Sequence, residues 1–143
     1  MFFKSIVFVC VFSWFIAQSI KVLIDFFQDG KINLGLFFDS GGMPSSHSAF
    51  VSSLGISIGL KSGFNSELFA VCFVFGLIVM YDASGIRRAA GKQAKVINMI
   101  VENIEHLGIK VDGKLKELLG HSPIEVISGA VLGIVIALIF YKA

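Results

Sequence analysis

Charge is scarce in this chain. Asp, Glu, Lys and Arg together make 15% of its 143 residues, where soluble domains carry about a quarter. The net charge of +2 excludes a nucleic-acid module with a basic surface. Cysteine is scarcer still: Cys10 and Cys72 both sit inside apolar runs, where Cys behaves as a small hydrophobe. That excludes a disulfide scaffold. The two prolines, Pro44 and Pro123, each open an apolar run, as Pro does at the first turn of a helix. Apolar residues fill what is left: 55% of the chain, 15 of them Phe, for a mean hydropathy of +0.84. A disordered chain is thereby excluded. The length is that of one domain, and the composition is that of a small integral membrane protein.

Four runs approach the roughly 20 apolar residues that a membrane-spanning helix needs. They cover about residues 2–24, 44–60, 64–81 and 123–141, with a polar stretch at 82–122. The expected fold is therefore all-α: a polytopic helical bundle forming one domain over residues 1–143. The second run is short and begins with a polar turn, which survives at membrane depth only when buried in protein or facing a wet cavity. The first run also admits a cleaved leader, with Lys4 ahead of it and Ala17-Gln18-Ser19 behind the apolar stretch.

Four crossings sort the basic residues onto two sides. One side receives Lys4, Lys61 and Lys142. The other receives Lys21, Lys31, Arg87, Arg88, Lys92, Lys95, Lys110, Lys114 and Lys116. The basic side is expected to face the cytoplasm, in a bacterial-type inner or plasma membrane. Within the polar stretch, Val96, Ile100, Ile104 and Leu107 recur at helical spacing, which predicts an amphipathic helix against membrane or bundle. Asp112-Gly113 predicts a turn, and Lys114 to Leu119 a short helix ended by Gly120.

On this topology the unusual residues converge. Lys21 ends the first run, Gly41 to Ser48 opens the second, Asp82 to Arg88 closes the third, and Gly120 to Glu125 opens the fourth. Two helix starts offer free N–H donors and positive dipole ends, a ready site for an anion. Lys21, Arg87 and Arg88 add cations. His47 and His121 can serve as nucleophile and proton donor. Glu125 lies four residues beyond His121, on the same helix face, where a carboxylate can orient the imidazole. Gly129 and Gly133 continue that stripe and admit a close neighbour.

Plainer readings exist for each element. Ser122 to Glu125 is a good capping box. Gly55 and Gly59, with Ser48 and Ser52, read as a small-residue packing seam. Arg87, Arg88, Lys92 and Lys95 read as a membrane-flanking patch for anionic headgroups. His106 reads as a solvated helix residue. None of these explains two histidines beside two helix starts and an arginine pair.

Pro44-Ser45-Ser46-His47 resembles the P-S-G-H motif of the type-2 phosphatidic acid phosphatases, relatives of the vanadium haloperoxidases. His121-Ser122-Pro123-Ile124-Glu125-Val126, with Gly129, resembles the H-x-x-x-D-V-x-x-G end of that family's last motif. The stretches from Gly41 to Ala49 and from Tyr81 to Ala94 are similar to its divergent branch. The resemblance implies that His121 is the nucleophile, forming a phosphohistidine, that Glu125 orients it, and that His47 is the general acid. It implies phosphate contacts from Lys21, Ser45 and Ser46, and neither metal nor other cofactor. Four departures stand out. Gln28-Asp29 occupies the Arg-Pro position of the first motif, and Leu115 the arginine position of the last. Ser46 replaces Gly, and Glu125 replaces Asp. Ser84 with Arg87 or Arg88 is the expected substitute for the missing Ser-Arg pair.

The expected function is a membrane-embedded, metal-independent phosphomonoester hydrolase acting on a lipid phosphate. The alternative is an inactive relative that binds or transports phosphorylated lipid. Expected partners are membrane lipids and that phosphorylated lipid, with no nucleic acid. The small-residue seams allow a homo-oligomer.

Overall fold

The computed structural model describes residues 5–30, 35, 37, 41–106, 113–117 and 119–142. The expected Leu107 of the amphipathic stripe and the Asp112 turn position lie outside them, as do the side chains of Glu105 and His106. The described residues form five helices and no strand: α1 (Ile6–Asp29), α2 (Ser46–Ser62), α3 (Glu67–Ser84), α4 (Ile86–His106) and α5 (Pro123–Lys142). The fold is an all-helical membrane bundle, as the hydropathy pattern requires.

By length and composition α1, the α3 segment and α5 are long and apolar enough to cross a membrane. The 17-residue α2 is shorter and serves as the core, packing on α1, α3 and α5. Its composition explains that role. Ser46, Ala49, Ser53, Gly55, Ser57 and Gly59 are all buried, and their small side chains let neighbouring helices come close. Hydroxyls at this depth need partners. Ser53 donates to the Phe50 carbonyl at 2.9 Å, and Ser13 of α1 to the Val9 carbonyl at 2.8 Å. By contrast α3 buries little beyond Gly76 and Ala83 and turns Val71, Phe73, Phe75 and Ile78 outward, toward lipid.

The α2 and α5 backbones approach closely. A Cβ on Gly129 would strike the Ser45 carbonyl, and one on Gly133 the Ala49 carbonyl. These two glycines form the seam. The expected seam at Gly55 and Gly59 is a correction: Gly55 meets nothing within 4 Å and lines a small apolar groove between α2, α3 and α5, and Gly59 faces the Phe64 ring. At the end away from Lys21, Phe12 packs edge-on against Phe140, with ring centroids 5.3 Å apart. Val9, Ile136 and Ala137 are buried beside them.

The amphipathic helix expected after the third span is α4, which leaves α3 at Gly85. The short helix expected at 114–119 does not form: 113–117 and 119 are non-helical. The buried Asn98 side chain explains this. Its Nδ2 donates to the Leu115 carbonyl at 2.8 Å and its Oδ1 accepts from the Leu115 N–H at 2.9 Å. Both backbone groups that a helix would use at Leu115 are thus engaged by α4. The strap formed by residues 113–117 and 119–120 lies along that helix, and Gly91 lets the Glu117 and Leu119 backbone come close.

The seam gives a direct stability test. Gly133→Leu forces a side chain into the Ala49 carbonyl and should cost roughly 1–3 kcal/mol or more, in line with overpacking elsewhere. Thermal unfolding in detergent should show the loss. Gly55→Ala, which meets only open space, should leave the midpoint equal or higher.

Candidate functional site

The site lies where the end of α1, the start of α2, the end of α3 and the start of α5 meet. Two backbone hydrogen bonds tie these ends together: Ser45 N–H donates to the Glu125 carbonyl at 2.9 Å, and His121 N–H to the Ala83 carbonyl at 2.8 Å. Gly120, at φ +81° and packed on the Arg88 backbone, turns the strap into His121.

His121 is 2% exposed. Its Nδ1 lies 2.9 Å from Glu125 Oε2. The same oxygen accepts the Ser122 N–H at 3.3 Å, and the Glu125 N–H approaches Ser122 Oγ at 3.4 Å. The capping box and the histidine orienter are therefore one arrangement rather than rivals. With Nδ1 on the carboxylate, Nε2 is the free nitrogen, buried and without a hydrogen-bond partner among the described residues. Burial lowers the His121 pKa from its ordinary value, with the Lys21 charge adding to this. The Glu125 hydrogen bond and charge and the Gly42 backbone oppose it. The net effect favours the neutral ring. The His47 ring stands beside it, with centroids 6.1 Å apart and planes at 63°. Its Nδ1 is likewise buried without a partner among the described residues.

His121 and Glu125 open onto a cleft of about 720 Å³. Lys21, Asp25 and Gln28 line it from α1, Gly42 and Met43 from the loop before α2, and Arg88, Lys92 and Lys95 from α4. Glu117 and Gly120 complete it from the strap. Of the residues nominated from sequence, Lys21, Arg88, His121 and Glu125 come together on this cleft. His47 adjoins His121 without lining it. Ser45 and Ser46 are buried at the start of α2, where Ser45 Oγ caps the helix by accepting the Ser48 N–H at 3.3 Å.

Ser84 and Arg87 are not brought to the cleft. Ser84 Oγ bonds back to the Met80 carbonyl at 3.0 Å, and Arg87 Nε is paired with Asp82 at 2.7 Å. Of the arginine pair, Arg88 is the one on the cleft. Asp25, Gln28, Lys92, Lys95 and Glu117 were not nominated. A signal for most of them was present: Lys21, Asp25 and Gln28 share one helical face by i, i+4, i+7 spacing, as do Arg88, Lys92 and Lys95. Glu117 had no such signal, because its placement depends on the Asn98 contact at 2.8 Å.

The chain is 44% identical over 134 residues to "Uncharacterized membrane protein YuiD" of Bacillus subtilis (strain 168), covering 86% of this chain and 85% of that one. No solved structure matches it. The profile of the Divergent PAP2 family matches residues 2–136, a span that takes in His47, His121, both helix starts and the whole cleft, and the chain belongs to that family.

Proposed function

We propose that the protein is a membrane-embedded phosphomonoester hydrolase, acting on a lipid phosphate through a phosphohistidine and using side-chain cations in place of a metal. One observation carries this reading: a buried imidazole held on its Nδ1 by a carboxylate at 2.9 Å, with Nε2 free on the wall of a cation-lined cleft. Membership of a phosphatase-related family supports it.

The chemistry follows from the positions. A phosphate in the cleft lies against Lys21 and Arg88, whose charges offset those on its oxygens. His121 Nε2 attacks phosphorus, the P–N bond forming as the P–O bond to the alcohol breaks. Glu125 stabilises the cationic ring this produces. His47 gives its proton to the departing alkoxide. Water then attacks the phosphohistidine, His47 takes back a proton, and inorganic phosphate leaves with His121 restored. The membrane-level cleft suits a substrate whose phosphate sits among headgroups while its tails stay in lipid.

A second reading is an inactive relative that binds or transports phosphorylated lipid. It is favoured by Gln28, which lines the cleft where the family's first motif has arginine, and by Ser84, whose hydroxyl bonds back to the Met80 carbonyl. Phosphate release from a panel of lipid phosphates, in detergent with chelator, separates the two. The hydrolase releases phosphate under chelation, and His121→Ala abolishes it. No release from any substrate by a folded protein overturns the hydrolase in favour of the binder.

The pH profile makes a finer test. His121 attacks only when neutral, and its lowered pKa puts the acid limb of turnover below the usual histidine range, near 6.5. Glu125 raises that pKa, so Glu125→Gln should move the limb further down while lowering turnover. A limb that stays in place would show that another group controls it.

We also assign the cleft to the cytoplasmic side, because nine of the 12 basic residues fall on that side when the four hydrophobic runs are taken as crossings. Reporter fusions at residues 62 and 110 should report the outside and the cytoplasm respectively. The opposite result overturns the assignment.

A further inference from the structure

We propose that Asp82 is a positioning residue for proton transfer, acting on the His47 ring through its charge, with Arg87 as the counter-charge that moderates it. The inference rests on the reading of His47 as the proton donor and extends it to what keeps that ring protonated.

The helix register brings the carboxylate to the level of the ring. α2 and α3 run antiparallel, joined by residues 63–66, and they meet where a Cβ on Gly76 would lie 3.8 Å from Val51 Cγ2. From that contact His47 lies four residues back along α2 and Asp82 six residues on along α3. At the helical rise these are about 6 and 9 Å toward the same end of the bundle. The end of α3 is tied there by the Ala83 carbonyl, which accepts the His121 N–H at 2.8 Å. The His121 ring in turn stands against His47, with centroids 6.1 Å apart. Asp82, Arg87 and His47 are all absent from the cleft lining, so the pair does not touch a phosphate held there.

The corner at Gly85 makes the pair. α3 ends at Ser84 and α4 begins at Ile86, and across that break Arg87 Nε reaches back to Asp82 Oδ2 at 2.7 Å. Both side chains are partly exposed, and an ion pair so exposed adds little to stability. Backbone bonds hold the corner instead: the Gly85 N–H donates to the Tyr81 carbonyl and the Ala89 N–H to the Gly85 carbonyl. The pair can therefore be altered without unmaking the corner.

Charge decides what the pair does. The charged and titratable groups acting on His47 are Lys21 from α1, Asp82 from α3, Arg87 from α4 and His121 ahead of α5. Asp82 is the one carboxylate among them. The two cations and the second imidazole oppose a proton on the ring, and the carboxylate favours it. His47 Nδ1 is buried with no hydrogen-bond partner among the described residues, so no contact at that nitrogen stabilises the imidazolium. Asp82 thus acts twice. Its own charge favours the protonated ring, and its ion pair offsets Arg87.

Titration of the histidine rings by NMR, on the isotope-labelled full chain in detergent, tests this without substrate; His47→Gln assigns the His47 signal. In Asp82→Asn the pH midpoint of His47 should fall by about half a pH unit or more, and in Arg87→Gln it should rise. Asp82→Asn/Arg87→Gln should lie close to the unmodified protein, Asp82→Glu should restore the midpoint, and Lys61→Gln, at the far end of α2, should leave it in place. Damaged packing would not move the two single variants in opposite directions. A midpoint that stays put, or shifts with the wrong sign, in either single variant overturns the proposal, so each decides alone should the other fail to fold. The alkaline limb of phosphate release should follow the same shifts. The two readings fail separately. Opposed shifts without any release support the role of Asp82 and refute the hydrolase, whereas release with a His47 midpoint indifferent to both substitutions refutes the role of Asp82 alone.

Discussion

The bundle depends on the bare backbone contact between α2 and α5. Gly129 and Gly133 bring α5 against the Ser45 and Ala49 carbonyls. Within a bilayer, burial of apolar surface gives helices no reason to associate, since lipid tails are as apolar as leucine. Close packing and hydrogen bonds must do it instead. The seam supplies the packing, and at its upper end Ser45 N–H reaches the Glu125 carbonyl. That one bond sets the start of α2 beside the start of α5, so His47 and His121 arrive together. Side chains on these glycines would hold the helices apart and separate the two rings.

Polarity is distributed along the bundle in keeping with this. At one end Phe12, Phe140, Val9 and Ile136 form an apolar plug. At the other, two helix starts, two helix ends and a strap leave backbone groups that no lipid can satisfy. Such groups need protein partners or water, and a water-filled cleft is the place where charged side chains can stay ionised. The same constraint that forces the termini together at one end therefore creates a site there.

Much of this was legible in the sequence because it follows from period and spacing. Hydropathy runs gave the helical bundle, and the spacing of His121 and Glu125 gave the shared helix face that the 2.9 Å contact occupies. What was not legible depended on contacts between segments distant in the chain. The strap at 113–120 has helix-forming residues, yet Asn98, 17 positions before Leu115, captures its backbone. Gly55 has the look of a packing residue, but whether a glycine is crowded depends on the helix opposite, and composition says nothing of that. Lys92 and Lys95 were visible as a charged face. Which way the face points is set by the docking of α4 on the strap and α3.

The missing arginines of the family pattern take on a different meaning in this geometry. Gln28 stands where one would be and still lines the cleft, while Leu115, where the other would be, has its backbone held by Asn98 on α4. Positive charge has thus left two of its expected positions, and the cleft carries it on Arg88, Lys92 and Lys95 of α4 instead. A cation acts on a bound phosphate through distance and desolvation, not through its place in the chain, so α4 can supply the field that other segments have lost. The substitution has a structural consequence. Charge on α1 is fixed by a membrane-spanning helix, whereas charge on α4 is positioned by the Asn98 contacts, by Gly91 against the strap and by Gly120 against Arg88. The cation lining of the cleft is thereby tied to the docking of α4, and the buried amide of Asn98, remote from the histidines, becomes part of what holds the cleft in shape.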